Sequence, residues 1–150
     1  MNTDNFTREA KQAISLATLE AERRNQQYAG TEHILLALLA DAGTAKLLTD
    51  CGIKLEAVQL AIESVIGQAG EPVGQTEAEL TVRARRAIEL AQYQACLVGS
   101  RYCGPEHLLL GVIREEDDMG GMILGTLGGE LLYNKLKASC SSLTAPDKSP

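Results

Sequence analysis

Two glutamate–histidine pairs are the residues of this chain whose types and spacing point to chemistry. Glu32-His33 and Glu106-His107 contain both of its histidines, and each pair follows a tyrosine and a glycine, in Tyr28-Ala29-Gly30-Thr31-Glu32-His33 and Tyr102-Cys103-Gly104-Pro105-Glu106-His107. Four such side chains would suit zinc if they met. No H-E-x-x-H occurs, however, and nothing in the sequence places the four together, so no metal is expected. The imidazoles are expected to be hydrogen-bonded within helix packing, fixing the loops that arrive from Tyr28 and Tyr102. Those tyrosines read as packing residues with satisfied hydroxyls.

The two stretches are copies. His33 and His107 lie 74 positions apart, and the same interval relates Thr7 to Thr81, Ala10 to Ala84, Ala13 to Ala87, Ile14 to Ile88, Ala17 to Ala91 and Ala21 to Ala95. A duplicated unit has to be recognised before a fold is assigned. Within the first copy, Thr7 is placed to cap a helix reaching about Gln27, whose alanines step by three and four. Small side chains on that stripe let a partner helix come close. A second helix starts with Gly30 as cap and Thr31 at its first position, as Pro105 in the other copy favours. Its run Ile34-Leu35-Leu36-Ala37-Leu38-Leu39 is apolar nearly all round, so it lies between neighbours. A short third helix carries Ala45, Leu47 and Leu48 and stops at Gly52; a fourth carries Leu55, Val58, Ile62, Val65 and Ile66 and stops at Gly67.

Residues 68–79 read as a linker, and the second unit repeats the plan over 80–140: Thr81 to about Val98, Pro105 to Arg114, Met122 to Leu127 and Glu130 to about Ala138. Glu115-Glu116-Asp117-Asp118 lengthens and acidifies one loop, and Gly120, Gly121, Gly125, Gly128 and Gly129 are expected to loosen the segment after that loop. Residues 141–150 read as a disordered tail. No strand pattern emerges. The expected fold is all-α: two four-helix repeats, 5–67 and 80–140, related by a pseudo-twofold and sharing one core.

Composition bounds the function. Hydrophobic residues make up 45% and aromatics 3%, so the core must be aliphatic and the chain globular. A net charge of −6 and a pI near 4.9 argue against a nucleic-acid-binding face. No apolar run approaches the roughly 20 residues of a membrane-spanning helix, and no secretory signal is visible at Met1-Asn2-Thr3-Asp4-Asn5. Cys51, Cys96, Cys103 and Cys140 form no C-x-x-C pair and read as buried reduced thiols. The chain has no G-x-x-x-x-G-K-[ST] and no G-x-S-x-G, and no nucleophile has a recognisable base. No enzyme and no cofactor is expected.

Phe6-Thr7, the alanine-rich first helix, Gly30-Thr31-Glu32-His33-Ile34-Leu35-Leu36 and the same set one repeat later resemble the N-terminal domain of the ClpC class of AAA+ unfoldases. That double Clp repeat covers roughly residues 5 to 140. The resemblance implies a non-catalytic module that receives substrates and adaptor proteins, here without its own ATPase. The alternative is a structural accessory subunit docking on a ClpP/ClpC assembly, with Clp unfoldase or protease subunits as partners. Location in the cytoplasm is expected, or in the plastid stroma for a processed plant protein. In some members each repeat binds phosphorylated arginine through the glutamate of G-T-E-H and the Thr and Arg of an F-T-x-R-A motif. Carried over residue by residue, this implicates Glu106, Thr81 and Arg83, and more weakly Glu32, Thr7 and Arg8. The first copy has Glu9 at the arginine's register and Arg8 one place back, about 100° round the helix. Pro105 replaces a threonine at the second site. The other reading of Glu32 and Glu106 is as helix N-terminal acids, each stabilising by about 0.3–1 kcal/mol. Phe6 and Leu80, each opening a unit, either form a hydrophobic docking patch or close the core beneath the first helices.

Overall fold

The computed structural model describes residues 4–70 and 77–142, and within 139–142 only the backbone. The chain runs α1 (Arg8–Glu22), β1 (Tyr28–Ala29), α2 (Thr31–Leu39), α3 (Ala42–Asp50), α4 (Leu55–Ile66), β2 (Glu79–Leu80), α5 (Val82–Leu97), α6 (Pro105–Arg114), α7 (Met119–Thr126) and α8 (Gly129–Ser142). The all-α double repeat is thus present. One apolar cluster contains residues of both repeats, from Phe6, Ile34, Leu38 and Ile62 to Ile88, Leu108, Leu124 and Leu136. Among the described residues no helix is long and apolar enough to cross a membrane.

The expectation of no strands needs correction. β1 pairs in parallel with β2, Tyr28 opposite Glu79 and Ala29 opposite Leu80, and a parallel bridge joins Phe6 to Cys103. These pairings are one contact seen twice, because adding the 74-residue interval to Phe6 gives Leu80 and to Ala29 gives Cys103. The carbonyl of Ala29 accepts from Thr81 N–H at 2.9 Å, and that of Cys103 from Thr7 N–H at 3.0 Å. Each repeat therefore lends its entry segment to the other. This reciprocal crossing is the pseudo-twofold written in hydrogen bonds. The last residue of the expected linker, Glu79, belongs to it, while 71–76 lie outside the described residues, as does 143–150 of the expected tail. Residues 139–142 instead continue α8.

Some helix limits also differ. α1 stops at Glu22 rather than near Gln27: Asn25 takes φ 56°, and Gln26 N–H reaches back to Ala21 O at 2.9 Å. In α5 the same stop uses Gly99 at φ 73°, with Ser100 N–H to Ala95 O at 2.9 Å. α7 starts three residues early, at Met119 behind Asp118. Val65, placed on the apolar stripe of α4, is exposed, and so are Tyr28 and Cys96, against the expectation that both pack inside; Cys51 and Cys103 are buried as expected.

The alanine stripes do bring helices together. Ala10, Ala13, Ala17 and Ala21 of α1 are buried, as are Ala84, Ala87, Ala91 and Ala95 of α5. Gly111 on α6 stands where the first copy has Ala37, and a Cβ there would run into the carbonyl oxygen of Ala87. Gly120 and Gly121 are likewise close-packing positions rather than loosening ones: a Cβ on Gly120 would lie 2.8 Å from Thr31 O, and one on Gly121 would strike Glu115 O. Gly111→Ala should therefore destabilise the fold by roughly 1–3 kcal/mol through overpacking against backbone, despite alanine's better helix propensity. Urea unfolding checks this; a stabilised variant would contradict the packing described.

Candidate functional site

The crossed pairing decides which residues meet. With Thr81 N–H held on Ala29 O, the start of α5 stands beside the N-terminus of α2. Glu32 consequently shares a cavity of about 530 Å³ with Thr81 and Arg83, not with Thr7 and Arg8. Gln26, Gln27, Tyr28, Gly30, His33, Val65, Ile66 and Asp118 complete its wall. The grouping expected within each repeat is corrected accordingly: Thr81 and Arg83 belong to the Glu32 site, and the bridge between Phe6 and Cys103 sets Thr7 beside the Gly104-Pro105-Glu106 turn.

Both threonines are N-caps. Thr7 Oγ1 accepts from Ala10 N–H at 3.1 Å and Thr81 Oγ1 from Ala84 N–H at 3.0 Å. Thr7 is buried and Thr81 half-buried. Arg8 lines a shallow depression along α1 with Lys11, Gln12, Ser15, Leu16 and Leu19, while Glu9 lines another with Ala37, Ala40 and Asp41. Phe6 is fully buried and Leu80 packs half-buried against the core, so the two close the core and do not form a docking patch. The physical reason is the crossed pairing, which folds both entry segments under the opposite repeat.

Each glutamate folds back over the glycine that caps its own helix. A Cβ on Gly104 would lie 2.8 and 2.9 Å from the Glu106 carboxylate oxygens, and one on Gly30 would collide with Glu32 Oε1. Both glycines have extended backbone that any residue adopts, and a side chain there would displace only the flexible carboxylate. Burial raises the Glu32 pKa above its usual value, a hydrogen bond from its own backbone opposes this, and the nearby Asp118 charge adds to it. The carboxylate is thus poorly solvated and favours an arriving cation.

His33 is a structural group, as expected. Its Nδ1 accepts from Gly30 N–H at 3.0 Å, so the ring proton sits on Nε2 and donates to Gln26 Oε1 at 2.8 Å. His107 Nδ1 accepts from Gly104 N–H at the same 3.0 Å. Each imidazole closes the turn that presents the neighbouring glutamate.

Thr31 does not face the cavity. Its hydroxyl is buried, donates to Asp118 Oδ2 at 2.6 Å and accepts from Gly120 N–H at 2.9 Å, tying α2 to the start of α7. In the first repeat the matching acid, Asp41, is served locally by Thr44 N–H at 2.9 Å and Thr44 Oγ1 at 3.0 Å. Pro105 thus removes a hydroxyl that in the first copy serves packing. Residues that sequence reasoning missed are Asp118, Arg86 and Glu115, the last being buried and ion-paired to Arg83 and Arg86. The signal for Glu115 and Asp118 is the acidic run 115–118, whose composition suggests only a longer loop; Arg86 carries none.

The buried His33 has its pKa lowered to about 4, first by desolvation and then by Arg24. The unfolded chain therefore binds this proton first, and the stability His33 contributes above pH 6.5 is lost as pH falls toward 4. Glu32, shifted upward, works in the opposite sense in the acid range. The His33 contribution should fall by about 2 kcal/mol between pH 7 and pH 5, offset in part by Glu32, and His33→Gln should remove that contribution from the slope in pH-dependent urea unfolding.

Comparison with known proteins shows the family and agrees with the fold. The family model described as the Clp repeat (R) N-terminal domain matches residues 5–127. The chloroplastic chaperone protein ClpC of Pisum sativum is 39% identical over 130 residues, 85% of this chain and 14% of that protein. A probable ATP-dependent Clp protease ATP-binding subunit of Chlamydia pneumoniae is 37% identical over 83% of this chain and 15% of its own length. The chain thus spans about one seventh of these relatives. Among solved structures, the N-terminal domain of ClpD from Arabidopsis thaliana superposes with a TM-score of 0.70 at 26% identity, covering 95% of this chain and 96% of that one. The Hsp104 N-terminal domain of Candida albicans shares the fold, with a TM-score of 0.75 at 15% identity over 96% and 94%. In related chaperones this domain is non-catalytic. The chain belongs to the Clp N-terminal domain family, as a ClpC-like double Clp repeat.

Proposed function

We propose that this chain is a recognition module of a Clp proteolytic system, receiving substrates, adaptors or phospho-arginine-marked clients, and that its principal ligand site is the cavity at the crossing of the two repeats. The observation that carries this reading is the juxtaposition of Glu32 with Thr81 and Arg83 on one wall. Phospho-arginine has a cationic guanidinium joined to an anionic phosphate. Glu32 takes the guanidinium in a forked hydrogen bond. Arg83 and the N-terminus of α5, with the Thr81 hydroxyl, take the phosphate. The Glu106 side, which has Glu9 at the register of Arg83, binds such a ligand more weakly. The module works in the cytoplasm or, given the chloroplastic relatives, the plastid stroma, alongside Clp unfoldase or protease subunits.

Titration calorimetry with free phospho-arginine tests the site. Glu32→Ala and Arg83→Ala should each weaken binding about tenfold or more, with Glu106→Ala weakening it less. Absence of binding to the wild type, or equal loss from all three, would sink the assignment. Affinity capture separates the remaining roles. Clients and adaptors are expected on the matrix; stoichiometric protease subunits without clients would mark an accessory subunit of a ClpP/ClpC assembly instead.

A further inference from the structure

Glu115 is the one buried carboxylate among the described residues, with 5% of its side chain exposed. It caps the end of α6, where its N–H donates to Gly111 O and Val112 O, and its carbonyl packs against Gly121. Both carboxylate oxygens engage arginines of α5: Arg83 Nη1 stands 3.5 Å from Oε2 and Arg86 Nε 3.2 Å from Oε1. The two arginines are far more open, at 47% and 67% exposed. Arg83 therefore faces the cavity with solvent on one side and a poorly screened anion on the other.

The cavity's own lining includes Arg83 and two carboxylates, Glu32 and Asp118. With Glu115 behind it, the arginine is already partly neutralised. A lone anion entering the cavity meets half an arginine and two repulsive carboxylates. A ligand that carries a cation next to its anion finds a partner for each end.

We propose that Glu115 is a specificity-determining residue of this cavity: by sharing Arg83, it makes phosphate binding conditional on a guanidinium being held by Glu32 at the same time. The site then rejects inorganic phosphate and phosphoserine while accepting phospho-arginine. This inference rests on the phospho-arginine reading of the site.

Glu115→Gln keeps the shape and removes the charge. Calorimetric titration of the wild type and this variant with phospho-arginine and with inorganic phosphate measures the discrimination. Phosphate affinity should rise about fivefold in the variant, and phospho-arginine affinity by less, so that the preference narrows. An unchanged preference, or weaker phosphate binding, overturns the proposal while leaving phospho-arginine recognition intact. If the wild type binds no phospho-arginine, the recognition reading fails by itself. In that event a phosphate gain in the variant still upholds Glu115 as the shield of Arg83, and no gain overturns it. Arg86→Gln, at an exposed position, guards against misfolding of the first variant. It leaves Glu115 to Arg83 alone and should widen the preference, and it should have no such effect in a Glu115→Gln background.

Discussion

The structure hangs on two backbone hydrogen bonds that cross between the repeats: Thr81 N–H to Ala29 O and Thr7 N–H to Cys103 O. Net of the water they displace, each contributes about 0.5–1.5 kcal/mol, little beside the shared apolar core. Their importance is geometric. They bring the start of the first helix of each repeat to the N-terminus of the other repeat's second helix, so that the N-termini of α2 and α5 converge, while along their lengths α1 packs on α2 and α5 on α6. A carboxylate presented by one repeat and an arginine presented by the other then face a common cavity. Neither repeat owns that site.

Within this frame the copies have diverged in compensating ways. Where α7 lacks a hydroxyl at Gly121, Thr31 reaches across and supplies one to Asp118. Where α6 begins with Pro105 and has none to give, Thr44 serves Asp41 from within its own helix. Gly111 lets α6 approach the backbone of α5 more closely than a side chain would allow. At the register where α5 has Arg83, α1 has Glu9, so the Glu32 cavity is lined by a cation while the matching position of the first helix carries an acid beside Asp41.

The duplication, the helical class and the alanine contacts were legible because they live in spacing and residue type. So was the placing of Gly30, since Pro105 in the other copy is comfortable only at the first helical position. The end of α1 was not. Asn25 makes the left-handed stop that Gly99 makes in α5, and asparagine is a weaker signal for φ > 0 than glycine. The crossing was invisible for a different reason. Two-residue strands have no periodicity, and a repeat read in one dimension invites pairing within itself. The family motif, carried over repeat by repeat, likewise groups Thr81 and Arg83 with Glu106, whereas the crossing puts them beside Glu32. Glu115 escaped notice because burial of a carboxylate depends on which arginines the fold brings over it.

The central claim is that the entry segments are exchanged between repeats, and nuclear Overhauser contacts in the labelled protein test it most directly. The exchanged arrangement predicts contacts of the Thr81 amide with Ala29 and of the Thr7 amide with Cys103. Contacts of Thr7 with Ala29 and of Thr81 with Cys103 would mean that each repeat closes on itself, and the composite site would be lost with it.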